Sequence, residues 1–535
     1  MTEPDEIPVL IVGAGPVGLA LANDLGQRGV ACQVVEREAS PTALPKMNFV
    51  NVRSMELCRR WGLVEDVRSA GWPEDHPLDV SYCTSLQGFE ITRFPYPAQR
   101  EKRISYSPEC SQRCPQIWFD PFLERGLERF DHVRLLRGHE LIDFKENAER
   151  VRATIRNVTS GEVHEQCATF LVGTDGPGSR VREVAGIERE TWGPVVPQMA
   201  IALRTASFDA FVRQKRAAFY WIIDEQGVRG LVTPTDGEEL WRFNWNLRPG
   251  ETSETFDPDA AIRTLAGADF DYEIITILPW QIRFTLAEQY RKGRVFLAGD
   301  AARTLAPTGG LGMNTGLADA ADLGWKLAAK LEGWGGDRLL DSYDRERRAA
   351  GRLINEESLR NLRRVAMIPR RPQIGAPDAA GERARREAGK ILDAGEFRLE
   401  FENDGAALGL HYVDSPCLEP DDETPPNDPN QYVPICVTGC RAPHASLPDG
   451  RSTLDLYGQG FCLLRLGPNP PATDALECAA KAAKVPLEVH HLADSSLHAL
   501  HGRSLVLVRP DGILAWRADT PPESATALLD RLRGI

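Results

Sequence analysis

The sequence predicts an α/β protein: a parallel nucleotide-binding sheet, a β-rich domain inserted into it in two pieces, and a smaller compact unit after residue 410. Three observations carry this. VLIVGAGPVG near the N-terminus reads as strand, glycine turn and helix. LAGDAARTLAPTGGLGMN around residue 300 repeats that logic, and blocks of short aromatic-rich strands lie between the two.

The elements follow in order. Residues 9–12 form a short apolar run, as a strand buried on both faces should. Gly13 makes the turn, Gly15 lets a pyrophosphate approach the backbone, and Gly18 packs the helix on the strand. The helix opens at Pro16 and Val17 with its free N–H groups toward the phosphates. A second strand, 31–35, ends in Glu36, placed to accept hydrogen bonds from a ribose. Helices are expected over 52–61 and 119–129, separate strands within 76–110, and a β-meander over 132–172 turning at 159–161. Strands at 217–223, 230–233 and 240–246 carry Tyr220, Trp221, Trp241 and Trp245. A strand at 294–297 and a helix at 315–331 return to the first architecture. Residues 370–400 read as a linker with an exposed helix, 416–431 as an acidic, Pro-rich loop, and 461–466, 504–508 and 513–517 as strands of the last unit. The resulting division is a cofactor domain at 1–75, 111–184 and 284–370, a substrate domain at 76–110 and 185–283, a helical linker at 371–410, and a final domain at 411–535.

A chain of 535 residues accommodates about three domains. A formal charge of −14 argues against a nucleic-acid binder. No apolar run is long enough to span a bilayer, and MTEPDEIP has no signal-peptide core, so a cytoplasmic protein is expected. Eleven scattered cysteines suit a reducing compartment. Cys110/Cys114 and Cys436/Cys440 have CxxxC spacing, but nothing completes a metal site, and both pairs read as ordinary thiols.

Two further motifs extend the nucleotide signal. FLVGTDGPGSRVR sets Asp175 and Gly176 at a strand end with Arg180 and Arg182 behind them, a polar wall for a phosphate and a pyrimidine-like ring. In the motif around 300, Asp300 suits a sugar-alcohol chain. Gly309, Gly310 and Gly312 bare backbone N–H groups before a helix beginning near Asn314, and those groups stabilise negative charge on a flat ring such as a reduced flavin.

Together these motifs resemble the group A flavoprotein monooxygenases, the family of para-hydroxybenzoate hydroxylase, and most closely its phenol-hydroxylase and aromatic polyketide hydroxylase branch. GAGPVG is similar to the FAD fingerprint, GTDGPGSRVR to the motif touching FAD and NAD(P)H, and LAGDAARTLAPTGGLGMNTG to the flavin-ring loop. NVRSMELCRRWGL, CPQIWFDPFL and DAADLGWKLA agree with the intervening helices, and LVLVRPDGILAWR resembles the branch's thioredoxin-like C-terminal domain, here without CxxC.

The resemblance implies a Rossmann-like FAD domain holding FAD non-covalently through Glu36, Arg37, Arg53, Gln116, Asp175, Asp300 and Asn314, with Pro307, Gly310, Leu311, Gly312 and Met313 lining the oxygen pocket. It implies NAD(P)H and O2 as co-substrates and oxygen transfer to a phenolic or polycyclic ring through a flavin hydroperoxide. Tyr220, Trp221 and Trp245 are candidates to stack on substrate, His76 is a candidate acid/base, and Arg216 or Arg242 would suit an acid. Two departures stand out. Arg303 takes the place of a family histidine. Asn48 falls where phenol hydroxylase has an aspartate, and a neutral amide cannot be the base, so the route to a phenolate is left open.

Three alternatives remain open at this stage: Baeyer–Villiger oxygenation on the same fold, a flavin-dependent halogenase, whose WxWxIP motif WRFNWN does not match, and a non-catalytic partner that retains FAD. A homodimer is an expectation that no sequence signature carries.

Overall fold

The computed structural model describes residues 6–41, 46–206, 211–421, 423, 425 and 428–535. Its first sheet has eight strands. At its centre Glu6–Val12 lies parallel to both Cys32–Glu36 and Val163–Gly173, and Val295–Leu297 and Val133–Arg137 extend it in parallel on either side. Parallel strands covered by helices on both faces must be apolar throughout, and Leu10, Ile11, Leu171 and Phe296 are fully buried. Residues 132–137 are therefore not part of a meander. They are a parallel strand beside Cys32–Glu36, while His139–Glu146, Val151–Asn157 and Val163–Gly173 alone make the antiparallel run.

The second sheet, also of eight strands, draws on distant segments. Val80–Cys83 and Glu90–Phe94 join five strands between Arg189–Arg204 and Glu273–Ala287, and the short Arg303–Thr304 closes one edge. One face packs under the helix Pro258–Ala266, against Ile262 and Leu265. The helix Ala379–Ala394, expected to be exposed, instead buries Ala388 and Leu392 against Val80, Tyr82 and Phe94. Ala384, Ala388 and Leu392 recur at four-residue spacing and form its buried face.

The last unit is a four-stranded sheet in the order Leu487–Leu492, Phe461–Leu466, Leu505–Val508, Leu514–Ala518, with one parallel pair. Three helices, Asp474–Ala482, Ser495–His501 and Ala525–Leu532, accompany it in the strand–helix order of a thioredoxin-like fold. Cys436 and Cys440 are buried, and burial pushes both thiols up to about 12, away from the thiolate that redox or metal chemistry needs.

The 30-residue helix Asp337–Ala366 ties the parts together. Leu339 packs in the core of the last unit, Ile354 packs on Leu311, and Val365 lies against the second sheet. A helix of this length spans about 45 Å.

Candidate active site

A single cavity of about 2290 Å³ runs from the glycine turn of the first sheet to the open face of the second. That exceeds the roughly 300–1,000 Å³ of a one-ligand site, so the space suits a dinucleotide and a second molecule.

Two helix N-termini define one end of this cavity. The helix Pro16–Gln27 starts at Gly15 and the helix Leu311–Leu331 starts at Gly310, and neither start has a side-chain cap. Their first-turn N–H groups lack intrahelical partners and open on the same space. The backbone around Gly13 is tightly specified. Gly13 has φ +105°, and a Cβ there would lie 2.5 Å from the Thr174 carbonyl oxygen. At Gly15, by contrast, a Cβ would meet nothing within 4 Å, so the turn faces open space where a phosphate fits.

Polar groups are held around this end. Ala14 N–H donates to Glu36 Oε2 (2.8 Å) and Glu38 N–H to Glu36 Oε1 (2.9 Å), fixing the Glu36 carboxylate at the turn with its other lone pairs toward the cavity. Gln116 Oε1 accepts from Lys46 N–H (2.9 Å), and its Nε2 donates to Asp120 (2.9 Å), whose carboxyl burial pushes up to about 7. Asp175 accepts from Ser179 Oγ (2.6 Å) and Val181 N–H (3.0 Å), which turns its carboxylate into its own loop. Asp300 opens onto the cavity, and the surrounding protein raises its carboxyl against the pull of Arg303 and Lys46.

Of the residues the sequence singles out, Gly13, Gly15, Pro16, Val17, Glu36, Arg37, Gln116, Asp175, Asp300, Pro307, Gly310, Gly312, Met313, Asn48 and Trp221 line the cavity. Others do not. Gly18 stands one layer back, where only a glycine fits against Gly13, and Leu311 is buried against Ile354 and Ala406. Asn314 is a brace: Nδ2 donates to Gly310 O (2.6 Å) and Phe49 O (3.1 Å), and Oδ1 accepts from Asn51 N–H (2.9 Å). Arg53 does not reach the cavity. Its guanidinium is drawn away by Glu56 (2.9 Å) and by the Asp511 carbonyl (2.6 Å) of the last unit. Arg303 is also internal, bonded to Asp319 (2.6 Å), which holds Gly299 N–H (3.0 Å).

The substrate-side candidates divide by strand face. On Leu240–Asn246 the odd-numbered residues Trp241, Phe243 and Trp245 enter the core under Pro258–Ala266, while Arg242, Asn244 and Asn246 face the cavity. Trp245 stacks under Arg229, 3.4 Å from the guanidinium carbon to the ring centroid, and the Tyr220 hydroxyl accepts from Ala217 N–H (2.8 Å), so neither reaches a ligand. Alternation alone places the aromatic and polar residues on opposite faces, but not which face meets the ligand. Trp221 lies on the cavity side with Nε1 buried and unpartnered. Arg216 and His76 lie off the cavity; Arg216 donates to Gly237 O (3.1 Å) and His76 packs on Trp72. Residues that sequence reasoning missed include Phe49, Arg113, Trp280, Glu400 and Leu362 of the long helix, all on the cavity wall.

Comparison with known proteins agrees with this geometry. The model of the FAD binding domain family matches residues 6–358, and that of the aromatic-ring hydroxylase C-terminal family matches 436–535. The chain belongs to the FAD-dependent aromatic monooxygenases. It is an enzyme of that family, and FAD is its cofactor. The uncapped helix starts and the open space at Gly15 fit that group. Relatives of this monooxygenase include a putative polyketide hydroxylase of Streptomyces halstedii, 33% identical over 96% of this chain and 94% of that one. Tetracenomycin A2 monooxygenase-dioxygenase of Streptomyces glaucescens is 31% identical over 98% and 96%. Among solved structures, the rebeccamycin biosynthetic enzyme RebC with reduced flavin superposes with a TM-score of 0.93 at 36% identity over the whole of both chains. The ternary complex of aklavinone-11 hydroxylase with FAD and aklavinone gives 0.81 at 27%, again over both whole chains. Among the described residues of this monooxygenase no helix is long and apolar enough to cross a membrane, and no His, Cys, Asp and Glu group could hold a metal ion.

Proposed function

We propose that this monooxygenase uses NAD(P)H and O2 to hydroxylate a phenolic or polycyclic aromatic substrate. The observation that carries the reading is the continuity of one cavity from the flavin-loop glycines to a broad second-sheet face lined by Trp221, Leu231, Leu278 and Trp280. Flat apolar walls with a few amides suit fused rings. RebC has been solved with 7-carboxy-K252c, and aklavinone-11 hydroxylase with aklavinone, and those ligands support a substrate of several rings here.

FAD, when bound, takes electrons from the nicotinamide and delivers one atom of O2 to the ring. The chain's own residues do the rest. Gly13, Gly15 and Glu36 would hold the dinucleotide end, and Gln116 and Asp300 the chain between phosphate and ring. The N–H groups at Gly310–Gly312 would face the flavin ring, and Pro307, Met313 and the long helix would keep water out.

The test is NADPH and NADH oxidation by the FAD-loaded protein over phenols and aromatic polyketides, with peroxide, product mass and product structure recorded. Substrate-stimulated oxidation with a new ring hydroxyl supports the reading. An inserted ester oxygen would assign Baeyer–Villiger chemistry instead, and peroxide alone would mark the compound as an effector.

The strand-face division predicts a contrast. Trp221→Ala should raise KM for a multi-ring substrate about tenfold, equivalent to about 1.4 kcal/mol. Tyr220→Phe should leave KM unchanged and cost about 1 kcal/mol of stability through the lost hydrogen bond to Ala217. Steady-state kinetics and urea unfolding of both variants separate the roles, and a KM effect at Tyr220 would contradict the assignment.

A further inference from the structure

Oxygen attack on a phenolic ring is helped by ionising the ring hydroxyl, and Asn48, on the cavity wall, is an amide that cannot take a proton. The carboxyls and imidazole around the substrate half leave few alternatives. His76 lies off the cavity, Nδ1 against Pro77 O (2.8 Å), and burial lowers it to about 4. Asp404 is bonded to the Tyr106 hydroxyl and Glu402 to the Tyr96 hydroxyl (3.2 Å).

Glu400 differs from these. It ends the 3₁₀ turn Glu396–Glu400, lines the cavity and is 6% exposed, and its carboxyl is met by the Gly309 backbone amide of the flavin loop rather than by an acidic or hydroxyl side chain. Its turn is fastened to the flavin loop, because Asn403 Nδ2 donates both to Gly309 O (2.7 Å) and to Glu400 O (3.1 Å). The charged and titratable groups around it are few. Arg364 of the long helix is already held by Glu357 (3.1 Å) and Asn361, Tyr82 faces it from the second sheet, and Arg398 of its own turn lies over Phe94.

We propose that Glu400 is the base that takes the proton from the substrate's ring hydroxyl. This rests on the hydroxylase reading above. In the step the phenol O–H bond breaks, a new O–H bond forms on a Glu400 carboxylate oxygen, and the electron pair stays on the phenolate. No oxidant or reductant is consumed, and the proton returns to solvent when the product leaves. Burial pushes the Glu400 carboxyl up to about 8, opposed by the Gly309 amide and Arg364. That brings it closer to a phenol near 10 than an ordinary glutamate near 4.3, which makes it the better matched acceptor. A base must be unprotonated to act, so turnover should rise with pH through about 8.

The experiment uses FAD-loaded wild type, Glu400→Gln and Glu400→Asp with 2-naphthol as probe. Two readouts are taken: the pH profile of kcat/KM for naphthol-stimulated NAD(P)H oxidation, and the naphtholate absorbance of the bound probe without nicotinamide. In the wild type kcat/KM should rise through a midpoint near 8, while the naphtholate absorbance should appear only above the range of free naphthol, because the Glu400 carboxylate beside the probe disfavours a second negative charge. In Glu400→Gln the kcat/KM midpoint should move up toward that of free naphthol, with kcat/KM below the wild-type midpoint falling about 100-fold, and the naphtholate midpoint should fall toward the free value as the neighbouring carboxylate is lost. Glu400→Asp should restore part of the rate and an acidic midpoint. Unchanged midpoints in Glu400→Gln, with wild-type turnover intact, overturn this proposal alone. Failure of 2-naphthol and every other phenol to stimulate the wild type overturns the hydroxylase reading and this proposal with it.

Discussion

Gly13→Ala should yield a protein that no longer retains FAD. The substitution places a methyl group 2.5 Å from the Thr174 carbonyl oxygen and 2.9 Å from Asp175 Cα, at a φ of +105° that side-chain-bearing residues rarely adopt. Both clashing atoms are backbone, so no side-chain rotation relieves them. Gly13 N–H also donates to the Val35 carbonyl (2.8 Å), and the neighbouring Ala14 N–H holds Glu36, so a shift at residue 13 displaces both strand ends at this turn. Strain in such a site costs on the order of 1–3 kcal/mol, and the displaced phosphate cradle adds to it. Flavin absorbance after gel filtration should show at least a 100-fold weaker hold on FAD, equivalent to about 2.7 kcal/mol. Gly15→Ala is the informative companion, since its methyl group meets no protein atom and competes only with the ligand. Retention of FAD by Gly13→Ala would mean that this turn is not where the dinucleotide sits.

Arg509→Met should cost about 3–5 kcal/mol of stability, as removal of one partner from a buried ion cluster does. Arg509 is fully buried between the last unit and the cofactor part. It pairs with Glu346 (2.8 Å), Asp322 (2.9 Å) and Asp511 (2.5 Å), and its guanidinium lies 5.2 Å from the Trp325 ring and 5.6 Å from that of Tyr412. Lys326 holds Glu346 and Asp322 at 2.7 Å each. Burial alone would push the Glu346 carboxyl up, but Arg509 and Lys326 more than offset it and hold it low, so the cluster depends on both cations. Without Arg509, three buried carboxylates share one ammonium.

The damage should not stay at the junction. Tyr412 accepts from Arg347 (2.7 Å), Arg347 holds Asp319 (2.8 Å), and Asp319 holds Gly299 N–H beside Asp300. Guanidinium unfolding should show the lost stability, with flavin release preceding or accompanying the transition. A loss below about 1 kcal/mol would show that the cluster contributes no more than a surface pair.

Much of the cofactor half was legible in the chain itself. Its glycines are dictated by backbone geometry, and backbone geometry is local: a turn at Gly13, an uncapped helix start at Gly15 and another at Gly310 read the same way in one dimension as in three. The first helix starts at Pro16 as expected, and the first strand ends at Val12 but begins at Glu6, three residues ahead of the apolar run. Boundaries moved where a loop tightened into helix, as at Gln116 and Leu311, each a few residues ahead of the expected start.

The substrate half was less legible. LWRFNWN announces a strand with two faces, but nothing in seven residues says which face a distant helix, Pro258–Ala266, will cover. Large aromatic residues attracted the functional reading, and packing took Trp245 and Tyr220 for the core while the polar face received the cavity. Arg53 shows the same limit from the other side. Its place in the helix Val52–Arg60 was foreseen, but its direction was set by Asp511, 458 residues later.

By itself, then, the sequence determined the α/β class, the glycine turn at Gly13, the glycine loop before the helix at Leu311 and the strands of the last unit, because each rests on local dihedral preference or on periodicity. Tertiary structure alone decided which sheet face lines the cavity, which arginines are tied up in ion pairs, and that the turn of Glu400 is fastened to the loop at Gly309. Those properties depend on burial and charge contributed by residues hundreds of positions apart.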